Sequence, residues 1–138
     1  MITEAELIVI DHDPDDQQLF RQIFEDAGYS NKLVFFDDSA EAYEYLANPS
    51  TWPFIIICEI NMPQIDGYEL RQMILEDPVL NHKSIPFIYL TTIKSRESVL
   101  KAYKGYIQGY FRKSHNDADY KQTIEQIMKY WKNSLAPE

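Results

Sequence analysis

Residues 54–70 read F-I-I-I-C-E-I-N-M-P-Q-I-D-G-Y-E-L. A run of apolar, largely β-branched residues leads to one carboxylate, Glu59, then to a loop with Asn61 and Pro63, and then to an Asp66–Gly67 turn signal ahead of a helical pattern. An apolar run bounded by turn residues reads as a buried strand, placed over residues 54–60. Its unbroken apolarity, without polar alternation, suits a parallel sheet covered by helices on both faces. Glu59 then stands at the carboxyl end of a central strand, where open α/β sheets bind their ligands.

Working outward, similar short runs occur at Leu7–Ile10, Leu33–Phe36, residues 87–90 and, more weakly, Gly109–Arg112. Helix-period segments separate them. Leu19, Phe20, Ile23, Phe24 and Ala27 form one apolar face, opened by Asp13 with Pro14 at the first helical position and closed by Gly28. Further helices fit Ser39–Ala47, residues 68–76 and residues 97–104, and Tyr120, Ile124, Ile127, Met128 and Trp131 give the last helix its stripe. Residues 48–53 and 77–84 read as loops. The order is (βα)5, and the expected fold is a flavodoxin-like, doubly wound parallel sheet of five strands in the order 2-1-3-4-5.

A length of 138 residues suits one domain, expected to span residues 1–138 with no output domain. The net charge of -9 opposes approach to nucleic acid or anionic lipid, so neither is expected as a partner. The single cysteine, Cys58, lies inside an apolar run and reads as a core residue, without a disulfide framework or a cysteine pair for metal. No apolar stretch approaches a membrane span and no signal-peptide pattern opens the chain, so a cytoplasmic location is expected.

The strand ends carry the chemistry. Strand one ends in Asp11, His12 and Asp13, strand three in Glu59 and Asn61, strand four in Thr91 and Thr92, and strand five in Lys113. Acids, a hydroxyl and an ammonium are thereby expected to converge on one crevice. The segments I-V-I-D-H-D-P-D-D, I-C-E-I-N-M-P-Q-I-D-G-Y-E-L, P-F-I-Y-L-T-T and G-Y-F-R-K-S resemble the signature segments of response-regulator receiver domains, from Leu7 to Trp131. The resemblance implies a two-component or phosphorelay signalling protein, a binding module and not an enzyme. It implies a phosphoacceptor position at Glu59, magnesium ligation by Asp11, Glu59 and the Asn61 carbonyl, phosphoryl contacts from Thr91 and Lys113, and a switch aromatic at Tyr110.

Three positions depart from the family. The family's acidic pair falls on Asp11 and His12, and imidazole suits softer metals than magnesium, so the magnesium site is expected to be weak or absent. Asp13 is next to the pocket but reads as the cap of the first helix. Glu59 replaces the family's aspartate; its extra methylene moves the nucleophile off the in-line position that phosphoryl transfer depends on and carries a fixed negative charge toward the phosphoryl position. Ser114 replaces the proline that follows the family's lysine.

Together these departures point to a pseudo-receiver with Glu59 as a partial phosphomimic. Two alternatives stand beside it: a receiver still competent to accept phosphate from a histidine kinase, and a hydrolase built on the D-x-D of Asp11 and Asp13. Output is expected through protein contacts with a kinase or a downstream protein. The face formed by the fourth helix, fifth strand and fifth helix, with Lys101, Tyr103, Lys104, Tyr106, Phe111 and Arg112, carries the aromatic and basic residues that interfaces favour and is also the expected homodimer surface.

Overall fold

The computed structural model describes residues 2–137. After a short 3-10 turn at Ile2–Glu4, the elements alternate: β1 Leu7–Ile10, α1 Pro14–Asp26, β2 Leu33–Phe36, α2 Ser39–Ala47, β3 Ile55–Cys58, α3 Gly67–Glu76, α4 Pro78–Lys83, β4 Phe87–Thr91, α5 Arg96–Lys104, β5 Gly109–Arg112 and α6 Asp117–Asn133. All strand pairs are parallel, and the order is β2-β1-β3-β4-β5. This is the expected flavodoxin-like sheet.

Alternation along the strands divides the core in two. Ile8, Ile10, Ile56, Cys58, Phe87 and Tyr89 face α2, α3, α4 and α5. Leu7, Val9, Ile55, Ile57, Ile88 and Leu90 face Phe20, Ile23 and Phe24 of α1 and Tyr120, Ile124, Ile127 and Met128 of α6. Burying each such aliphatic or aromatic side chain contributes about 1.5–3 kcal/mol. Both sides of the central strands are therefore dry, which explains their unbroken apolar sequence. Trp131 is half-buried against the α1 and α6 layer, and no helix among the described residues is long and apolar enough to cross a membrane.

Two expectations about the elements are corrected. Strand three stops at Cys58 instead of residue 60, because the Ile60 carbonyl accepts from the Met62 and Gly67 backbone N–H groups and folds the chain out of the ladder. Residues 77–84 are not all loop. Asp77 accepts from the N–H groups of Val79 and Leu80, Pro78 takes the first helical position, and Leu80 anchors the short α4 in the core.

A receiver-like pocket centred on Lys113

Each pocket residue is delivered by a strand end. Asp11 follows β1, Glu59 follows β3, Thr91 ends β4 and Lys113 follows β5. The Glu59 N–H donates to Ile10 O at 2.8 Å, and the Lys113 N–H donates to Thr91 O at 2.7 Å, so the loops leave the sheet in register. Behind Glu59 the chain is close-packed. A Cβ on Gly67 would meet Glu59 O and Ile60 Cα at 2.8 Å and Tyr89 Cε1 at 2.9 Å, and only glycine allows that approach of α3 to the loop.

The Lys113 ammonium is the centre of the site. It lies 2.7 Å from Asp11 Oδ2, 2.8 Å from Asp16 Oδ2 and 3.0 Å from Glu59 Oε1, so each of its three N–H donors has one carboxylate. Lys113, Asp11 and Glu59 are buried, whereas the Asp16 side chain is 34% exposed. The second oxygens of the buried acids are also engaged: Asp11 Oδ1 accepts from Asp13 N–H at 3.0 Å and Glu59 Oε2 from Ile60 N–H at 2.7 Å.

The charges explain the titration directions. Burial pulls the Lys113 ammonium down, but hydrogen bonds to Asp11 and Asp16, with the negative charges of Asp11 and Glu59, outweigh it and hold its pKa above the ordinary lysine value. Asp11 moves up, because burial opposes its charge, and the bonds from Lys113 and from Asp13 N–H only partly offset that. The Asp16 charge adds to the rise. An ammonium shared by three anions cannot fully satisfy any one of them.

The other expected site residues divide. His12 is exposed and does not join the cluster; its place is taken by Asp16, which the sequence reading overlooked. Asp13 does not join it either, since its side chain caps α1 by accepting from Asp15 N–H at 2.9 Å and Asp16 N–H at 3.3 Å. The Thr91 hydroxyl oxygen accepts from Ile93 N–H at 3.3 Å, and no hydrogen bond joins it to Glu59. Tyr110 turns inward: its hydroxyl donates to Ile93 O at 2.6 Å and its ring meets Tyr89 edge-on at 6.1 Å. Burial first, then the charges of Tyr68 and Glu59, push its pKa up to about 12. The Lys113–Ser114 peptide bond is trans.

Magnesium would require hard oxygen donors in near-octahedral array. Asn61 is exposed, the oxygens of Asp11 and Glu59 are taken by N–H donors, and among the described residues no three His, Cys, Asp or Glu side chains are grouped to hold a metal ion. In this arrangement the residues do not fit a resident divalent ion.

On the expected output face Lys101, Tyr103, Lys104, Tyr106 and Arg112 are exposed. Lys101 Nζ sits 4.3 Å from the Tyr68 ring centroid, a cation–π contact. Phe111 is half-buried instead: β5 alternation turns it onto the α1 and α6 side, away from Tyr110. Tyr106 is 74% exposed with φ 57°, a left-handed conformation unusual for a bulky side chain. Arg71 of α3 holds that backbone, donating from Nε to Gly105 O at 2.9 Å and from Nη2 to Tyr106 O at 2.7 Å.

Known proteins share this architecture. The chain is 25% identical to the probable methanogenesis regulatory protein FilR2 of Methanothrix harundinacea, over 94% of this chain and 88% of that protein. It is 24% identical to the response regulator Rcp1 of Synechocystis, over 91% and 87% of the two chains. Among solved structures, the phosphorylated cyanobacterial phytochrome response regulator RcpA superposes with a TM-score of 0.86 at 26% identity, covering 96% of this chain and 98% of that one. The manganese-bound form of Rcp1 superposes with a TM-score of 0.84 at 23% identity, covering 98% and 99%. The family model described as the response regulator receiver domain matches residues 7–125, and the chain belongs to that family, the receiver domains of two-component signalling.

Proposed function

We propose that this receiver acts through protein contacts with little or no dependence on phosphate, and that Glu59 stands as a fixed, partial substitute for a phosphorylated aspartate. The supporting observation is the occupancy of the Glu59 carboxylate. Each of its oxygens accepts one hydrogen bond, from Lys113 and from Ile60 N–H, which fixes the orientation of the carboxylate and holds its charge beside the lysine. The inward Tyr110 fits a pocket held in one state. The substitution is partial, because a phosphoryl group brings about -1.5 to -2 charge and three acceptor oxygens, and Thr91 is engaged elsewhere.

Output would pass through the face of α5, β5 and α6, where Tyr103 and Tyr106 lie among Lys101, Lys104 and Arg112. The partner would be a histidine kinase, a downstream signalling protein or a second copy of the chain. Incubation with magnesium and acetyl phosphate, followed by intact-mass measurement, tests the reading. No phosphoryl adduct is expected on the native chain. An adduct that disappears in Glu59→Gln would establish the competing view, a phosphorylation-competent receiver, which the convergence of Asp11, Glu59 and Lys113 favours.

A further inference from the structure

We propose that Lys113 is the resident cation of this pocket, anchored by Asp16 in addition to Asp11 and Glu59, and that it excludes a divalent metal ion from the Asp11–Glu59 site. The inference rests on reading the crevice as a receiver pocket, and it concerns what occupies that pocket before any phosphate chemistry. A divalent ion at Asp11 and Glu59 needs the carboxylate oxygens that now receive Lys113 at 2.7 and 3.0 Å. Asp16 makes displacement harder. Its Oδ2, 2.8 Å from Nζ, takes the third N–H, so an ammonium driven off the other two carboxylates has to surrender every direct partner it has or swing out on Asp16 alone.

Geometry and charge agree on this point. Three carboxylates and one ammonium sum to -2, a charge that attracts cations, yet the position between the buried acids is already filled by a positive group tethered to β5. A tethered cation pays no translational entropy on binding, whereas a free ion does. The cavity that Asp11, Asp16 and Glu59 share with Val9, Phe20 and Ile57 has room for about one water. His12, where the family has a second acid, is exposed and adds no oxygen donor.

The test is a manganese and magnesium titration of the full chain, read by manganese electron paramagnetic resonance and by the side-chain ammonium spectrum of ¹⁵N-lysine-labelled protein. In the native chain no saturable site tighter than about 1 mM is expected. The Lys113 ammonium signal, slowed in exchange by its three partners, is expected to stay unshifted by magnesium. Lys113→Gln, with the ammonium removed, is expected to bind manganese at least about tenfold more tightly than the native chain, and Lys113→Arg, which keeps the charge, is expected not to.

A native site tighter than about 1 mM, or a magnesium-dependent loss of the Lys113 signal, would overturn the proposal without reference to any variant. So would a folded Lys113→Gln with no gain in affinity. If Lys113→Gln folds only when manganese is added, that rescue supports the proposal. The titration contains no phosphodonor, so its result is independent of the acetyl phosphate test of the proposed function.

Discussion

Asp16 and Lys113 lie 97 positions apart in the chain and meet at 2.8 Å. This contact closes the third side of an ion cluster whose other two members are buried. The partners should respond unequally to mutation. Asp16→Asn removes an anion from a partly exposed position and leaves Lys113 with two carboxylates; a loss of about 1 kcal/mol or less is expected. Lys113→Gln strands buried Asp11 and Glu59 without their counter-charge, and a loss of about 3–5 kcal/mol is expected. Urea unfolding of both variants at neutral pH measures the asymmetry.

Stability should fall steeply on the alkaline side. The Lys113 pKa is raised in the folded state, so its contribution is complete below the ordinary lysine value of 10.5 and is lost as pH rises toward the folded value. Buried and half-buried tyrosines act with the same sign. Tyr45 is pushed up to about 12 by burial and by its hydrogen bond to Glu6, Tyr110 to about 12 chiefly by burial, and Tyr89 and Tyr120 are also raised by burial. The unfolded chain ionises these phenols from pH 10 upward, while the folded chain resists. Phenolate absorbance should therefore rise together with loss of helix by circular dichroism above about pH 10. Smooth titration of all ten tyrosines ahead of unfolding would contradict this.

Gly67→Ala tests the packing behind Glu59. The new methyl meets backbone on two sides and the Tyr89 ring on the third, so the β3–α3 loop must shift. A loss of about 1–3 kcal/mol is expected by thermal unfolding, with amide shift changes at Ile60 N–H, the donor to Glu59 Oε2.

Lys83 is a second buried ammonium with a purely structural environment. It donates to the carbonyls of Leu46 and Asn48 at 2.8 Å and of Thr51 at 2.6 Å, closing the loop after α2. Burial lowers its pKa, and Asp77 partly offsets that. Lys83→Met leaves three carbonyls without this donor, and a loss of about 2–4 kcal/mol is expected, with hydrogen-exchange protection falling in residues 48–53.

The architecture was legible because parallel strands buried on both faces must be apolar throughout, as 54–58 and 7–10 are. Helix starts were legible where a cap is local: Asp13–Pro14 opens α1. The same Asp–Pro pair at Asp77–Pro78 opens α4, but six residues with one buried apolar side chain, Leu80, give no amphipathic stripe, and the segment reads as loop. The pocket was legible where residues sit at strand ends, as Asp11, Glu59 and Lys113 do. Asp16 escaped notice because it looks like an ordinary acid in a first helical turn, and its partner is fixed only by the fold. His12 was placed in the pocket by adjacency in sequence, but the turn into α1 exposes it, while Asp13 beside it caps α1 as its position before Pro14 indicated. Phe111 was grouped with the surface residues of the output face, but alternation along the edge strand half-buries it on the α1 and α6 side.

The first turn of α3 has a mechanical consequence. Gly67 is wedged against the Glu59 carbonyl, and Arg71, four residues on, grips the carbonyls of Gly105 and Tyr106. The five residues from Gly67 to Arg71 make a strut about 6 Å long, stiffened by a capping box at Asp66 and Glu69. Its one end bears on the pocket floor and its other end on an exposed aromatic. One helical turn thus ties the backbone behind the buried carboxylate to the backbone that presents the Tyr106 ring to solvent.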